Sequence, residues 1–302
     1  MIDVVMPTCN SNKPYFSIVL KSIKEYLPLN KIIVVDCFSI DGTIETISRI
    51  FRDRALILKT HANLAYARYL GMKFVETDIF AMIDSDTMIL PYWYERLHYL
   101  LNNYENIGAV EGKIISADKL LEFNLLLNTN ASNIIFYKKN INELNPYFIL
   151  KKGLWWYVRG ETTNVLMRYD VIKDWKPPKY LGAFEDFHLT QHVLRKGYRW
   201  VRYDGDIVAI HFESMKNLID IFLAKPIKKG LWHGSNIYIL HRNKEISYSL
   251  ILLDNIRGII NSILKIFTKR ERINYISSLL FTMAMILGIL TKDRYAQEYR
   301  HR

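Results

Sequence analysis

The sequence has few of the residues that mark several classes of protein. Its 302 residues include only two cysteines, 13 glycines and 8 prolines, too few for a disulfide-rich scaffold, a collagen-like repeat or a low-complexity chain. A hydrophobic fraction of 50% with 13% aromatic residues excludes intrinsic disorder. We therefore expect a full hydrophobic core, in one large domain or in one domain with an extension.

The cysteines and the first residues predict the compartment. Cys9 and Cys37 have no metal-ligand spacing, and each lies at the end of a predicted buried strand, which favours free thiols and a reducing compartment. The chain opens with a strand-like run and shows neither the basic stretch nor the long apolar stretch of a secretion signal. These features predict a cytoplasmic location.

Acidic residues are scarce in the C-terminal third. Residues 191–302 contain 19 lysines and arginines against 9 acidic residues, whereas residues 1–190 contain 22 against 21. The basic residues flank apolar segments and form no nucleic-acid-binding motif, which favours an anionic membrane surface as a partner and disfavours nucleic acid. A basic face that serves only solubility is an open alternative.

Short apolar runs alternate with stretches of helical period in the first part of the chain. The expected strands are 2–6, 31–36, 55–59 and 79–84, with helices at 14–27, 43–52 and 64–75. This order predicts an α/β fold with a mostly parallel sheet and helices on both faces, in which ligands bind beyond the C-terminal strand ends. We expect this globular domain to span residues 1–215.

Residues 216–302 are expected to form a basic helical region. Residues 246–267 are amphipathic, and residues 274–291 contain no charged residue over 18 positions, which is at the lower limit for crossing a bilayer. Helices at the membrane interface are the interpretation that we favour. Helices docked on the main domain and a single membrane span are open alternatives.

Two aspartates end the fourth expected strand. Asp84 and Asp86 are spaced i, i+2, and a turn at the strand end lets both reach one cavity. Hard oxygen ligands suit Mg²⁺ or Mn²⁺, which leave coordination positions for phosphate oxygens. Such pairs are also common in surface turns, so this pair alone does not establish a metal site.

Five motifs follow one another along the chain. They are V-V-M-P-T-C-N at 4–10, I-I-V-V-D-C-F-S-I-D-G-T at 32–43, N-L-A-Y-A-R-Y-L-G at 63–71, I-D-S-D at 83–86 and the run that begins F-E-D-F-H at 184. Their order and spacing resemble family 2 glycosyltransferases of the GT-A fold. A histidine, His211, follows a further strand. The resemblance covers residues 1–212 and implies a Rossmann-like sheet and transfer of a sugar from a nucleotide-diphosphate sugar to an acceptor hydroxyl, with inversion.

The resemblance also implies a role for each matching residue. Asp86 would bind the metal, with His211 as a second ligand, and Asp186 would be the general base that deprotonates the acceptor. The nucleotide sugar would lie against the remaining matching residues, which are Pro7, Thr8, Asp36, Arg68, Asp84, Ser85, Gly160 and Glu185. Ordinary structural roles are open alternatives: a turn for Asp36, a surface ion pair for Arg68 and helix capping for the acids at 185 and 186.

The sequence departs from the family pattern near the nucleotide base. Cys9 stands where relatives usually have an aromatic ring, and D-C-F-S at 36–39 replaces the usual D-D-G-S. We therefore expect a rebuilt base pocket, with Phe38 as a candidate for the missing ring. Trp155 and Trp156 are candidates either for stacking on a sugar ring or for the core.

Two other functions stay open. A nucleotidyltransferase of similar fold would be expected to have a glycine-rich phosphate loop, and residues 7–14 contain no glycine. A non-catalytic protein that binds a sugar nucleotide or glycan would be expected to lose one of the acids, all of which are present. We favour a glycosyltransferase at the cytoplasmic membrane face, acting on a lipid-linked acceptor or a glycan near the bilayer.

Overall fold

The computed structural model describes residues 1–117, 147–149, 159–212, 225–244, 246–268, 272–292 and 294–295. The strands are β1 Ile2–Thr8, β2 Leu29–Asp36, β3 Ala55–Lys59, β4 Ile79–Ile83, β5 Thr87–Ile89, β6 Ile107–Glu111, β7 Ile114–Ser116, β8 Tyr147–Ile149, β9 Asn164–Arg168, β10 Arg199–Tyr203 and β11 Ala209–His211. The helices are α1 Phe16–Tyr26, α2 Thr43–Phe51, α3 Leu64–Met72, α4 Trp93–Asn103, α5 Tyr169–Ile172, α6 Glu185–Arg195, α7 Lys225–Arg242, α8 Tyr248–Thr268 and α9 Arg272–Leu290, with a 3₁₀ turn at Arg52–Arg54.

The strands form one large sheet and one small one. The eight-stranded sheet has the order β3-β2-β1-β4-β9-β6-β10-β8, and the three-stranded sheet has the order β5-β11-β7. The first four strands of the large sheet are parallel. Strand β9 runs antiparallel to both of its neighbours, and β8 runs antiparallel to β10. The prediction of a mostly parallel α/β sheet is confirmed.

The side chains of β1 alternate between the two faces of the sheet, which explains why helices cover both faces. Val4 and Met6 lie in one apolar cluster with residues of α1 and α4, whereas Val5 lies in a second cluster with residues of α3 and α6. Side chains of a strand point alternately to the two faces of the sheet, so a continuous apolar run such as β1 must be covered on both. This burial aligns the C-terminal ends of β1, β2 and β4 along one edge.

Helix α7 packs closely on α9. A Cβ added to Gly234 would lie 2.0 Å from the carbonyl oxygen of Met285, and one added to Gly230 would lie 2.4 Å from that of Phe281. Only glycine allows two helix backbones to approach this closely. A third apolar cluster joins the same helices to the segment before α6, through Leu181, Phe184, Ile237, Leu240 and Met285.

The other side of the C-terminal helices is apolar and exposed. The exposed side chains are Ile256, Ile260, Ile263 and Leu264 on α8 and Ile276, Met283, Leu287 and Leu290 on α9. Within the described residues, no helix has the length and hydrophobicity needed to cross a bilayer.

Candidate active site

The ends of β1 and β2 meet around a buried carboxylate. Thr8 lies opposite Asp36 in the parallel pair and donates its hydroxyl to Asp36 Oδ1 at 2.8 Å. Ser39 donates its hydroxyl to the same oxygen at 2.6 Å and its backbone N–H to Oδ2 at 2.7 Å. Asp36 thus closes a turn, as the structural alternative suggested. Pro7, which lies opposite Val35, is on the same edge.

The two cysteines are joined in a disulfide. Their Cα atoms lie 5.0 Å apart, because the pairing of Thr8 with Asp36 brings the next residue of each strand alongside the other. The expectation of free thiols is therefore wrong, since spacing along the chain does not reveal which strand ends are neighbours. Phe38, next in the chain, is partly exposed and stacks on His61 with ring centres 4.3 Å apart.

Arg68 links the two acidic motifs of the site. Its Nη2 lies 2.6 Å from Asp84 Oδ1, and its Nη1 donates to Glu185 Oε1. The side chain is only 2% exposed, so the alternative of a surface ion pair is wrong. Arg68 Nε is buried and has no hydrogen-bond partner among the described residues. The arginine on α3 thereby draws the end of β4 and the start of α6 together.

The charges around Arg68 compensate one another. Burial raises the pKa of the Asp84 carboxyl, and the Arg68 guanidinium opposes that rise. Burial likewise raises the pKa of Glu185, again opposed by Arg68. Burial alone would lower the pKa of Arg68, but the two carboxylates outweigh it and the pKa is raised. The guanidinium therefore stays charged.

Asp86, in the turn just before β5, and His211, the last residue of β11, lie side by side. His211 Nε2 is 3.4 Å from Asp86 Oδ2, and both side chains are partly exposed. The next residue, Phe212, donates its backbone N–H to the Asp86 carbonyl at 2.8 Å and stacks on Tyr15. Ser85 Oγ lies 2.9 Å from Ser11 Oγ in the loop after β1. The loop after β4 is thus held from two sides.

The donor types of this pair fit Mg²⁺ or Mn²⁺. A carboxylate and an imidazole are suitable ligands, and these ions commonly take few protein ligands and complete their coordination with phosphate oxygens and water. In the part of the chain that the structure describes, no group of three or more histidine, cysteine or acidic side chains could hold a metal. A bound diphosphate would therefore have to supply the further ligands.

Asp186 begins α6 and is held by an arginine. Nε and Nη2 of Arg159 lie 3.0 and 2.8 Å from Asp186 Oδ2. The other oxygen, Oδ1, accepts the backbone N–H of Phe187 at 2.7 Å. The helix-capping alternative is therefore partly right. Arg159 is a site residue that sequence reasoning missed, because it lies outside the motifs that carry the family resemblance.

Gly160 is explained by packing. A Cβ at this position would lie 2.1 Å from the indole ring of Trp200. Its N–H donates to Thr190 Oγ1 at 3.0 Å, and the N–H of Glu161 donates to the buried Glu111 carboxylate at 2.6 Å. Burial raises the pKa of Glu111, opposed by Arg202. Glu111 was also missed, although a carboxylate at the end of a buried strand was a signal. Trp155 and Trp156 lie outside the described residues.

The C-terminal region contributes a buried asparagine to the site. Asn236 on α7 accepts the backbone N–H groups of Gly182 at 2.6 Å and Ala183 at 3.1 Å, and donates to the Trp232 carbonyl at 2.8 Å. His233, one turn earlier, contacts Phe184 with ring centres 4.8 Å apart. Burial, followed by Lys229 and Arg159, lowers the pKa of His233 to about 3. No motif in the sequence pointed to Asn236.

The mostly parallel sheet with helices on both faces defines the class of protein, an α/β protein with the GT-A fold. The family model for glycosyl transferase family 2 matches residues 3–169, which is more than half of the chain, so the chain belongs to glycosyltransferase family 2. No curated protein matches it.

Solved structures share the fold. The mannosyltransferase PcManGT from Pyrobaculum calidifontis, in complex with GDP-Man and Mn²⁺, has a TM-score of 0.59 and 12% identity, over 96% of this chain and 86% of that one. S. aureus TarS in complex with UDP-GlcNAc has a TM-score of 0.55 and 14% identity, over 99% of this chain and 91% of that one. At these identities the likeness extends to the fold alone.

Proposed function

We propose that the protein is a metal-dependent, inverting glycosyltransferase that moves a sugar from a nucleoside diphosphate to an acceptor hydroxyl. The observation that carries the proposal is the double ion pair of Arg68, which sets Asp84 beside Glu185. We infer that Asp86 and Asp186, which follow these two acids closely in the sequence, then face one common site. A leaving-group site and a base that share a cleft are what a single displacement needs.

Asp86 and His211 would hold Mg²⁺ or Mn²⁺. When bound, the ion would neutralise the charge that develops on the departing nucleoside diphosphate. GDP-Man with Mn²⁺ in one solved relative of the fold and UDP-GlcNAc in another support a nucleotide-sugar donor. The residues proposed to contact this donor are Pro7, Thr8, Asp36, Arg68, Asp84, Ser85, Gly160 and Glu185.

Asp186 would act as the general base. Because Oδ1 accepts the backbone N–H of Phe187, the first turn of α6 fixes the direction of this carboxylate. It would take the proton of the acceptor hydroxyl while that oxygen attacks the anomeric carbon from the face opposite the diphosphate. Attack from that face inverts the anomeric centre and needs one base.

We further propose two regions in the chain, a catalytic domain at 1–215 and a helical region at 216–302 that meets a membrane. The exposed apolar stripe on α8, with Arg257 and Lys265 on the same helix, suits an interface with anionic lipid. The location would be the cytoplasmic membrane face, a proposal that now rests on the helices alone, because the bond between Cys9 and Cys37 removes the argument from free thiols. A lipid-linked acceptor or a glycan near the bilayer would then be close to the cleft.

A donor screen tests the reaction. Release of nucleoside diphosphate from UDP-, GDP- and dTDP-sugars is measured with Mn²⁺, with Mg²⁺ and with EDTA. We expect one donor to be consumed only with metal, Asp86→Ala to lose that activity, and Asp186→Asn to retain donor binding in a thermal-shift assay while losing turnover. Turnover that survives both EDTA and Asp86→Ala would refute metal dependence.

Vesicle flotation tests the membrane proposal. The paired substitution Ile256→Glu and Ile260→Glu is compared with Ile18→Glu, an exposed isoleucine on α1. Vesicles containing anionic phosphatidylglycerol should carry the wild type and Ile18→Glu, and should lose the paired variant. Equal flotation of the three proteins would contradict the role of the α8 stripe. Deletion of residues 246–302 should abolish flotation.

A further inference from the structure

Arg159 forms an ion pair with Asp186, the residue that the proposed function requires as a free base. Both of its contacting nitrogens bind the same oxygen, Oδ2 of Asp186, while Oδ1 is taken by Phe187 N. The Asp186 side chain is only 10% exposed. An acceptor hydroxyl therefore meets a carboxylate on which both oxygens already have partners.

An ion pair at this position works against proton transfer. To pass its proton to Asp186, the hydroxyl must come within about 2.6–3.2 Å of a carboxylate oxygen, and the guanidinium already occupies Oδ2. A hydroxyl that approaches Oδ2 has to displace a partner of that oxygen, and both of those hydrogen bonds come from Arg159, whereas the N–H of Phe187 is fixed in the first turn of α6. The exchangeable partner is Arg159.

The two arginines of the site differ in how they are held. Arg68 is 2% exposed and bridges two carboxylates. The Arg159 side chain is 41% exposed and binds one carboxylate. Its guanidinium carbon lies 5.2 Å from the ring centre of Phe184, a cation–π contact that is weak at an exposed site. Arg159 is therefore the arginine of the two that can more easily exchange its partner.

If the Arg159 guanidinium leaves Asp186, a second anion is the partner that stabilises it best. Breaking a partly buried ion pair without compensation is costly, whereas a phosphate or carboxylate would accept two parallel hydrogen bonds from the same fork. The charges near Arg159 allow such a group. Three carboxylates lie nearby, Asp186, Glu185 and Glu161, and each is paired with an arginine. Lys229 on α7 adds a positive charge close to His233, which contacts the Phe184 ring over which Arg159 lies.

We propose that Arg159 recognises an anionic group on the acceptor, and that binding of this group draws the guanidinium away from Asp186 and frees the base. The inference rests on the proposed glycosyl transfer. The proton then passes from the acceptor hydroxyl to Asp186 as the new glycosidic bond forms, and the nucleoside diphosphate leaves with the electrons of the broken C–O bond. Water brings no anion, so the paired base would restrain hydrolysis of the donor.

Donor hydrolysis tests the release of the base. Wild type, Arg159→Gln and Arg49→Gln are compared with nucleotide sugar and Mn²⁺ in the absence of an acceptor. Arg49 is an exposed arginine on α2, so its variant controls for the loss of one positive charge. We expect several-fold faster hydrolysis with Arg159→Gln and an unchanged rate with Arg49→Gln. A rate for Arg159→Gln equal to or below that of wild type would overturn the release step.

Calorimetry tests recognition of the anion without turnover. The probes are two matched pairs, geranyl phosphate with geraniol and methyl glucuronide with methyl glucoside. Wild type and Arg49→Gln should bind the charged member of one pair about tenfold more tightly or better, the factor expected for one charge-assisted hydrogen bond. Arg159→Gln should lose this preference, and Arg159→Lys should keep part of it.

The outcomes separate the two proposals. The pair that shows the preference identifies a lipid phosphate or an acidic sugar as the source of the anion. Absence of a preference in wild type, or the same preference in Arg159→Gln, would refute anion recognition by Arg159. Failure of the proposed function gives a different result. Wild type would then consume no nucleotide sugar, whereas calorimetry would still measure its preference for the charged probe.

Discussion

Replacement of Asn236 by leucine should damage both the stability and the rate of the enzyme. Asn236 is fully buried and its amide oxygen accepts two consecutive backbone N–H groups, from Gly182 and Ala183. Leucine has a similar volume but accepts no hydrogen bond. Both N–H groups would be left in a site that excludes water.

The magnitude follows from the number of lost bonds. Each buried donor without a partner costs about 1–3 kcal/mol, and the added apolar side chain offsets part of the total. We therefore expect a loss of about 2–4 kcal/mol in the free energy of unfolding. The freed segment ends at Phe184, directly before the helix that carries Asp186. Displacing a base by about 1 Å costs on the order of 100-fold in rate, so kcat should fall by about 10- to 100-fold while the KM for the donor changes little.

Denaturant unfolding and steady-state kinetics measure the two effects. Asn236→Asp keeps an oxygen acceptor and should recover most of the rate. Asn243→Leu is the control. Asn243 is exposed just beyond α7, so water can replace the one bond that its side chain donates to the Ile239 carbonyl, and the effect should stay within about 0.5 kcal/mol. If Asn236→Leu matched the control in both measurements, the positioning role of Asn236 would be refuted.

Three further perturbations have defined outcomes. Breaking the bond between Cys9 and Cys37 with reductant, or with paired serines, should cost about 3–4 kcal/mol of stability in chemical unfolding, as expected for a 28-residue separation; an unchanged midpoint would contradict this. The pKa of His233 is about 3 in the fold against an ordinary value of 6.5, so the unfolded chain takes up its proton first. Stability should fall by roughly 1.4 kcal/mol per pH unit below pH 6.5, a slope that His233→Gln removes and His61→Gln keeps. Gly234→Ala should lower Tm by several degrees, because its methyl group would meet a backbone carbonyl; an unchanged Tm would show that α7 and α9 separate easily.

Most of the parallel half of the sheet was predictable from the sequence. Continuous apolar runs such as β1 and β2 have no polar face, so a strand buried on both sides was the simplest solution. Asp84 was expected to end the fourth strand, and it lies one residue beyond Ile83, where that strand ends. The local pattern of apolar residues predicts these strands, because the structure of each one follows from the need to bury its own side chains.

The contacts between distant segments were not predictable in the same way. A lone arginine on a short helix gave no sign that Arg68 would be buried between two acids, and the disulfide depends on which strands are neighbours. Asn236 lies in a helix of ordinary composition, far along the chain from the loop that it holds. Such contacts depend on which elements pack together in the fold, and the local pattern of a single sequence does not indicate this.

The packing of α7 bears on how this enzyme could be shortened for experiments. A fragment ending at residue 215 would remove the helix that shares a core with Phe184 and Leu181, and the base-bearing helix would lose its support. A fragment ending near residue 246 would keep α7 but strip away α9, whose backbone touches Gly230 and Gly234. Weak turnover by either fragment would therefore reflect the loss of helices that support the site, and it would not contradict the proposed reaction.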